Sequence, residues 1–163
     1  MPDADEDPKL HRLDTSGASG YLHRGSWALE AVDRHEVGLE PRVEAQAEGR
    51  QLLRRWMAEV DRTVTEDVTL LACELISNAV RHVQGPPDRR IELHLARGGG
   101  VVRVEVCDGG PPFEPKLRAA GEDGGFGLLL IDRLSRRWGV APDRPSCIWF
   151  EVADVAPPPA AAA

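Results

Sequence analysis

The fold turns on one stretch, Asp67-Val-Thr-Leu-Leu-Ala-Cys-Glu-Leu-Ile-Ser-Asn-Ala-Val-Arg-His82. Val68, Leu71, Ala72, Leu75, Ile76, Ala79 and Val83 recur at three- and four-residue spacing, which predicts a helix with one buried stripe. At about 100° per residue, Glu74, Asn78 and His82 fall in a line along the edge of that stripe. A carboxylate, an amide and an imidazole are thus stacked one turn apart, beside the core. Three polar residues alone describe a solvated rim more readily than a site, so the choice rests on the rest of the chain.

Working outward, Thr65 is placed to cap this helix, with Glu66 and Asp67 at its positive end. Upstream, Pro41 opens a second helix to about Val60, and the alternation over residues 26–32 (Trp27, Leu29 and Ala31 on one face) predicts a strand. His35 falls between them as a loop residue. Downstream, a Gly-Pro-Pro turn at 85–87 leads into strands at 91–97 and 101–107, joined as a hairpin across Gly98-Gly99-Gly100. Val102, Val104 and Val106 share one face of the second strand, Arg103 and Glu105 the other. By the two-residue period Asp108 belongs with the valines, and a carboxylate ending an apolar face must find a donor. A long loop follows, crowded with Gly121, Gly124, Gly125 and Gly127, then an amphipathic helix at 128–138 and a last strand at 147–152.

A chain of 163 residues suits one domain, here residues 23–153, between an acidic, disordered leader (1–22) and a Pro/Ala tail (154–163). A net charge of −7 argues against a nucleic-acid-binding surface, which needs a basic field. Cys73, Cys107 and Cys147 lack zinc-ligand spacing and are odd in number. Lying in apolar stretches, they read as buried, reduced thiols. Neither a signal peptide nor a membrane span is apparent, so the expected location is cytoplasmic, away from any membrane.

Glycines feeding a helix start offer backbone N–H groups and a positive dipole end to phosphates. Asp108 is suited to accept from the exocyclic amine of a base. Asn78 offers an amide oxygen to Mg²⁺, which favours oxygen ligands. Glu74, one turn away, is suited to orient or deprotonate the hydroxyl or water that attacks a γ-phosphate.

In order and spacing, Glu74-x-x-x-Asn78-Ala79-x-x-His82, Asp108-x-Gly110 and Gly125-x-Gly127-Leu128 resemble the N, G1 and G2 boxes of the GHKL (histidine kinase/Hsp90-like) ATPase superfamily. The short single-domain form most resembles its bacterial anti-sigma-factor serine/threonine kinases, from about Ser26 to Val152. The resemblance implies an α+β fold: a Bergerat-type two-layer α/β sandwich, its mixed, mostly antiparallel sheet covered on one face by about three helices. It implies ATP and Mg²⁺ as cofactors, Glu74 as the catalytic carboxylate and Asn78 as the Mg²⁺ ligand. Asp108 then recognises adenine, Gly110 lets the ring approach, and His82, Gly125, Phe126, Gly127 and Leu128 complete the nucleotide site, with 113–124 as a short lid. His82 is equally readable as a core histidine bonded to backbone.

The implied activity is transfer of the ATP γ-phosphate to a serine or threonine of an anti-anti-sigma (STAS-type) partner, by a protein that also binds a sigma factor. A homodimer through the first strand and helix is left open. Two departures stand out. Pro112 replaces the second glycine of the Asp-x-Gly-x-Gly box, and Pro145-Ser146-Cys147 stands where a Gly-Thr pair commonly precedes the last strand. They keep a second reading alive, a nucleotide-binding protein-interaction module without kinase activity. A histidine kinase is disfavoured, because only one helix fits between His35 and Thr65.

Overall fold

The computed structural model describes residues 13–14, 31–82, 88–112, 126–141, 144 and 146–155. In chain order these form β1 (Leu13–Asp14), β2 (Ala31–Leu39), α1 (Ala45–Trp56), α2 (Arg62–His82), β3 (Ile91–Gly98), β4 (Val101–Cys107), α3 (Phe126–Leu134), β5 (Arg137–Val140) and β6 (Cys147–Ala153). The sheet order is β1-β5-β6-β4-β3-β2. Every pairing is antiparallel except that of the two-residue β1, which lies within the stretch read as leader and runs parallel to β5. With the helices layered on the sheet, this is the expected α+β sandwich.

The central helix buries the stripe its spacing dictates. Val68, Leu71, Ala72, Leu75, Ile76 and Ala79 share one core with Ile91, Leu93 and Leu95 of β3, Val102, Val104 and Val106 of β4, and Phe150 of β6. Val83 lies outside the described residues. Gly49 lets α1 lie close on α2, since a Cβ there would fall 2.5 Å from Ile76 Cδ1.

The cap is not Thr65. The helix begins a turn earlier, and Asp61 Oδ1 accepts the Thr63 N–H at 2.8 Å, while the Thr65 hydroxyl bonds back to the Asp61 carbonyl at 3.0 Å. Asp61→Ala should therefore cost roughly 1 kcal/mol in urea unfolding and Thr65→Ala distinctly less. The reverse order would restore Thr65 as the cap.

Three further expectations need correction. Most of the strand expected at 26–32 lies outside the described residues; a strand is described at Ala31–Leu39, and His35 lies within it, opposite Leu95, rather than in a loop. As an edge strand, β2 leaves Arg34, His35 and Glu36 exposed, so its sequence lacks the apolar alternation that marks an inner strand. The helix expected over 128–138 ends at Leu134, and Arg137–Val140 forms β5. The Arg136 N–H donates to the Glu151 carbonyl (2.7 Å), drawing the chain out of the helix onto β6, with Trp138 fully buried. The cysteines are not all reduced. Cys107 and Cys147 face each other across β4 and β6 and are joined as a disulfide, leaving Cys73 free in α2. Burial pushes the Cys73 thiol above its ordinary pKa, against the pull of Arg50.

The sheet face away from the core is also closed over. Arg103, Glu105 and Glu151 are each 5% exposed or less. Arg103 Nη1 donates to Glu151 at 3.0 Å, and Arg137 adds contacts of 2.9 and 2.7 Å to the same carboxylate. The Arg103 guanidinium lies 4.0 Å from the centre of the Trp149 ring.

Candidate functional site

Glu74 and Asn78 project from the edge of α2, half-buried, as the helical period requires. What faces them is the first turn of α3. A Cβ on the buried Gly127 would fall 3.2 Å from Asn78 Nδ2 and 3.3 Å from Glu74 Oε2, so only a bare backbone lets α3 start this close to the polar line. Leu128, the next residue, anchors that start in the core at 8% exposure. The structure thus brings Glu74, Asn78, Gly127 and Leu128 together from segments about fifty residues apart.

Among the described residues Glu74 makes no ion pair within 4.0 Å. Asn78 Oδ1, the oxygen assigned to a metal, accepts from Arg81 Nη2 at 2.7 Å. Arg81 is exposed and can swing aside, but a cation must compete with it. His82 is exposed at the end of α2, with no hydrogen bond or ion pair among the described residues, which removes the core-histidine reading. Gly125 and the lid stretch 113–124 lie outside the described residues, and Phe126 is placed by its backbone alone, as the first residue of α3.

Asp108 follows the last residue of β4, half-buried at the rim. Its Oδ1 accepts the Gly110 N–H at 2.7 Å, an Asx-type turn that fixes the carboxyl over the following glycines. Its own N–H points to the Ser146 carbonyl at 3.5 Å, so the ends of β4 and β6 lie side by side here. No arginine neutralises Asp108 among the described residues. Arg89 passes next to Gly109, 3.4 Å from where a Cβ would stand, and its Nη1 is buried without a hydrogen-bond partner among the described residues.

Metal-ligating types also cluster on the opposite sheet face, as Glu92, His94 and Cys107 and as Glu105, Cys107 and Cys147. The shared sulfur is bonded to Cys147, and Arg144 joins Glu105 (2.6 Å) to His94 (3.1 Å), so this group is an ion-pair network. Arg81, Arg89 and the disulfide escaped the sequence reading. A basic residue in the last helical turn reads as dipole complement, and the cysteines carry no local sign of pairing.

A sandwich with an Asn/Glu helix edge under a glycine-opened helix, and an aspartate at the neighbouring strand end, defines the GHKL class of ATP-binding domain. The histidine kinase-like ATPase domain family matches residues 39–152, well over half of the chain, and the chain belongs to that family. No curated protein matches it. The family implies ATP binding and, in general terms, ATP-dependent phosphotransfer or hydrolysis. Among the described residues no helix is long and apolar enough to cross a membrane.

Proposed function

We propose that the protein is a cytoplasmic anti-sigma-factor-like kinase that passes the ATP γ-phosphate to a serine or threonine of an anti-anti-sigma (STAS-type) partner and also holds a sigma factor. The observation that carries this reading is the seating of Gly127 against Glu74 and Asn78, which sets a carboxylate, without an ion pair among the described residues, beside the N–H groups of a helix start. The Asn78 amide oxygen fits Mg²⁺, which prefers hard oxygen ligands and takes the rest of its shell from water and phosphate oxygens. When bound, Mg²⁺ supplies neutralisation of the phosphate charge. Asp108 accepts from the adenine amine, and Gly110 leaves room for the ring. Glu74 takes the proton of the partner hydroxyl as its oxygen attacks the γ-phosphorus, the bond to the bridging oxygen breaks, and ADP leaves. On α1, an exposed groove lined by Arg50, Arg54 and Arg55 suits an acidic partner surface.

Saturation with Mg·ATP near a hundred times its dissociation constant should add roughly 2.7 kcal/mol of stability, read as a rise in Tm. Asn78→Ala should erase the Mg²⁺-dependent part of that rise; an undiminished rise would place the metal elsewhere. No rise at millimolar ATP would remove the nucleotide reading. The second reading, a nucleotide-binding interaction module without kinase activity, draws on the Arg81 contact to Asn78 and on Pro112 in the G1 box. It prevails if wild type binds Mg·ATP yet transfers no phosphate to its cognate partner.

A further inference from the structure

We infer that Cys107–Cys147 is a reversible thiol–disulfide site that sets the affinity of the neighbouring base-recognition corner. The inference rests on the nucleotide reading of Asp108 and goes beyond it, by assigning that corner a redox control.

The placement carries the argument. Cys107 is the last residue of β4 and Cys147 the first of β6, and they are register partners. Asp108 is the next residue along one strand and Ser146 the residue before the other. Past the last register pair of the β4–β6 ladder, the two ends are tied by the Asp108 N–H to Ser146 carbonyl contact, long at 3.5 Å. Asp108 lies one residue past the last register pair, where strand ends open most readily. The covalent bridge therefore limits how far that end can move, together with the Asx turn that orients the Asp108 carboxylate. On the Ser146 side the chain is held by Cys147 N–H to Arg144 O (2.8 Å) and Ala141 N–H to Cys147 O (2.9 Å). Those bonds secure the turn to itself; Arg144 ties it to Glu105 of β4 at 2.6 Å, and the sulfurs are the covalent part of that junction.

The exchange is a two-electron step. Two equivalents of a low-molecular-weight thiol attack through a mixed disulfide, the Cys107–Cys147 bond breaks, both sulfurs become thiols, and the small thiol leaves as its disulfide. The reverse takes a small disulfide as oxidant. Both sulfurs belong to residues 4% exposed or less, so exchange requires the rim to open. A nucleotide resting on that rim opposes the opening. Cys73, buried elsewhere with its thiol pushed up in pKa, takes no part.

The experiment is calorimetric titration of the full chain with Mg·ATP, in matched buffers holding reduced or oxidised glutathione, with free thiols counted by mass spectrometry after alkylation. The oxidised protein should bind about ten-fold more tightly than the reduced protein, within the usual range of coupling between sites. Because coupling is reciprocal, saturating Mg·ATP should shift the glutathione ratio that half-reduces the pair toward the reduced side by the same factor. Cys147→Ser should bind like the reduced wild type in both buffers, and Cys73→Ser like wild type in both. The wild-type comparison needs no variant, so a Cys147→Ser chain that fails to fold leaves the test intact. Equal affinities in the two buffers, or a difference that survives in a folded Cys147→Ser, would overturn the inference while leaving the nucleotide reading standing. Absence of binding in both buffers would sink the two together.

Discussion

Glu74→Gln is expected to lower phosphate transfer to the partner by roughly 10²–10⁴-fold, with Mg·ATP affinity changed only a few-fold. The amide keeps the size of the side chain and its fit under Gly127, where Glu74 Oε2 lies 3.3 Å from the site of a missing Cβ. What it loses is the capacity to take a proton. Single-turnover transfer measured beside calorimetric binding separates the two effects. An affinity that collapses together with the rate would make Glu74 a structural support of the α2–α3 contact. A rate unchanged in Glu74→Gln would pass the base role to another group, and would remove the mechanistic assignment along with it.

The second large effect concerns the sheet face that holds no ligand in this reading. Glu151→Leu should destabilise the fold by about 3–5 kcal/mol, because Arg103 then remains buried after losing its 3.0 Å carboxylate partner, with Glu105 at 3.7 Å. Burial already pushes the Arg103 guanidinium below its ordinary pKa, and the carboxylates of Glu151 and Glu105 oppose that push. Arg137, about half exposed, can turn to solvent when its carboxylate is gone. Urea denaturation of Arg103→Met/Glu151→Leu checks the cause: removing both charges should cost less than the single change, since well-packed apolar pairs replace buried ion pairs with little loss. A single-variant cost below about 1 kcal/mol would mean that the face opens to water and the network contributes little.

The two predictions bear on a helix edge and on the far face of the sheet, and they show where local pattern stops being informative. Val102, Val104 and Val106 were legible as core from their alternation, and so was the stripe of α2, because each side chain's face follows from its own helix or strand period. Glu74 and Asn78 were legible as neighbours for the same reason, one turn apart on one helix. The alternation also put Arg103 and Glu105 on the far face, yet their burial depends on Glu151 and Trp149, about forty-five residues later, which no local period foretells. The edge strand β2 hid behind polar residues. The run from Leu128 to Trp138 kept a helical spacing through Leu134, after which pairing with β6 prevailed over that spacing.

By itself the sequence determined the central helix, its buried stripe and polar edge, the β3–β4 hairpin, the aspartate ending an apolar strand and the glycines before α3. All of these depend on intervals of a few residues, where backbone geometry dictates which way a side chain points. Only the tertiary structure decided that Gly127 rests on Glu74 and Asn78, that Arg81 covers the Asn78 oxygen, and that Cys107 meets Cys147. Those contacts join segments separated by forty residues or more, or depend on which of several exposed rotamers a long side chain takes. Strand register and helix packing fix them, and both are properties of the assembled core.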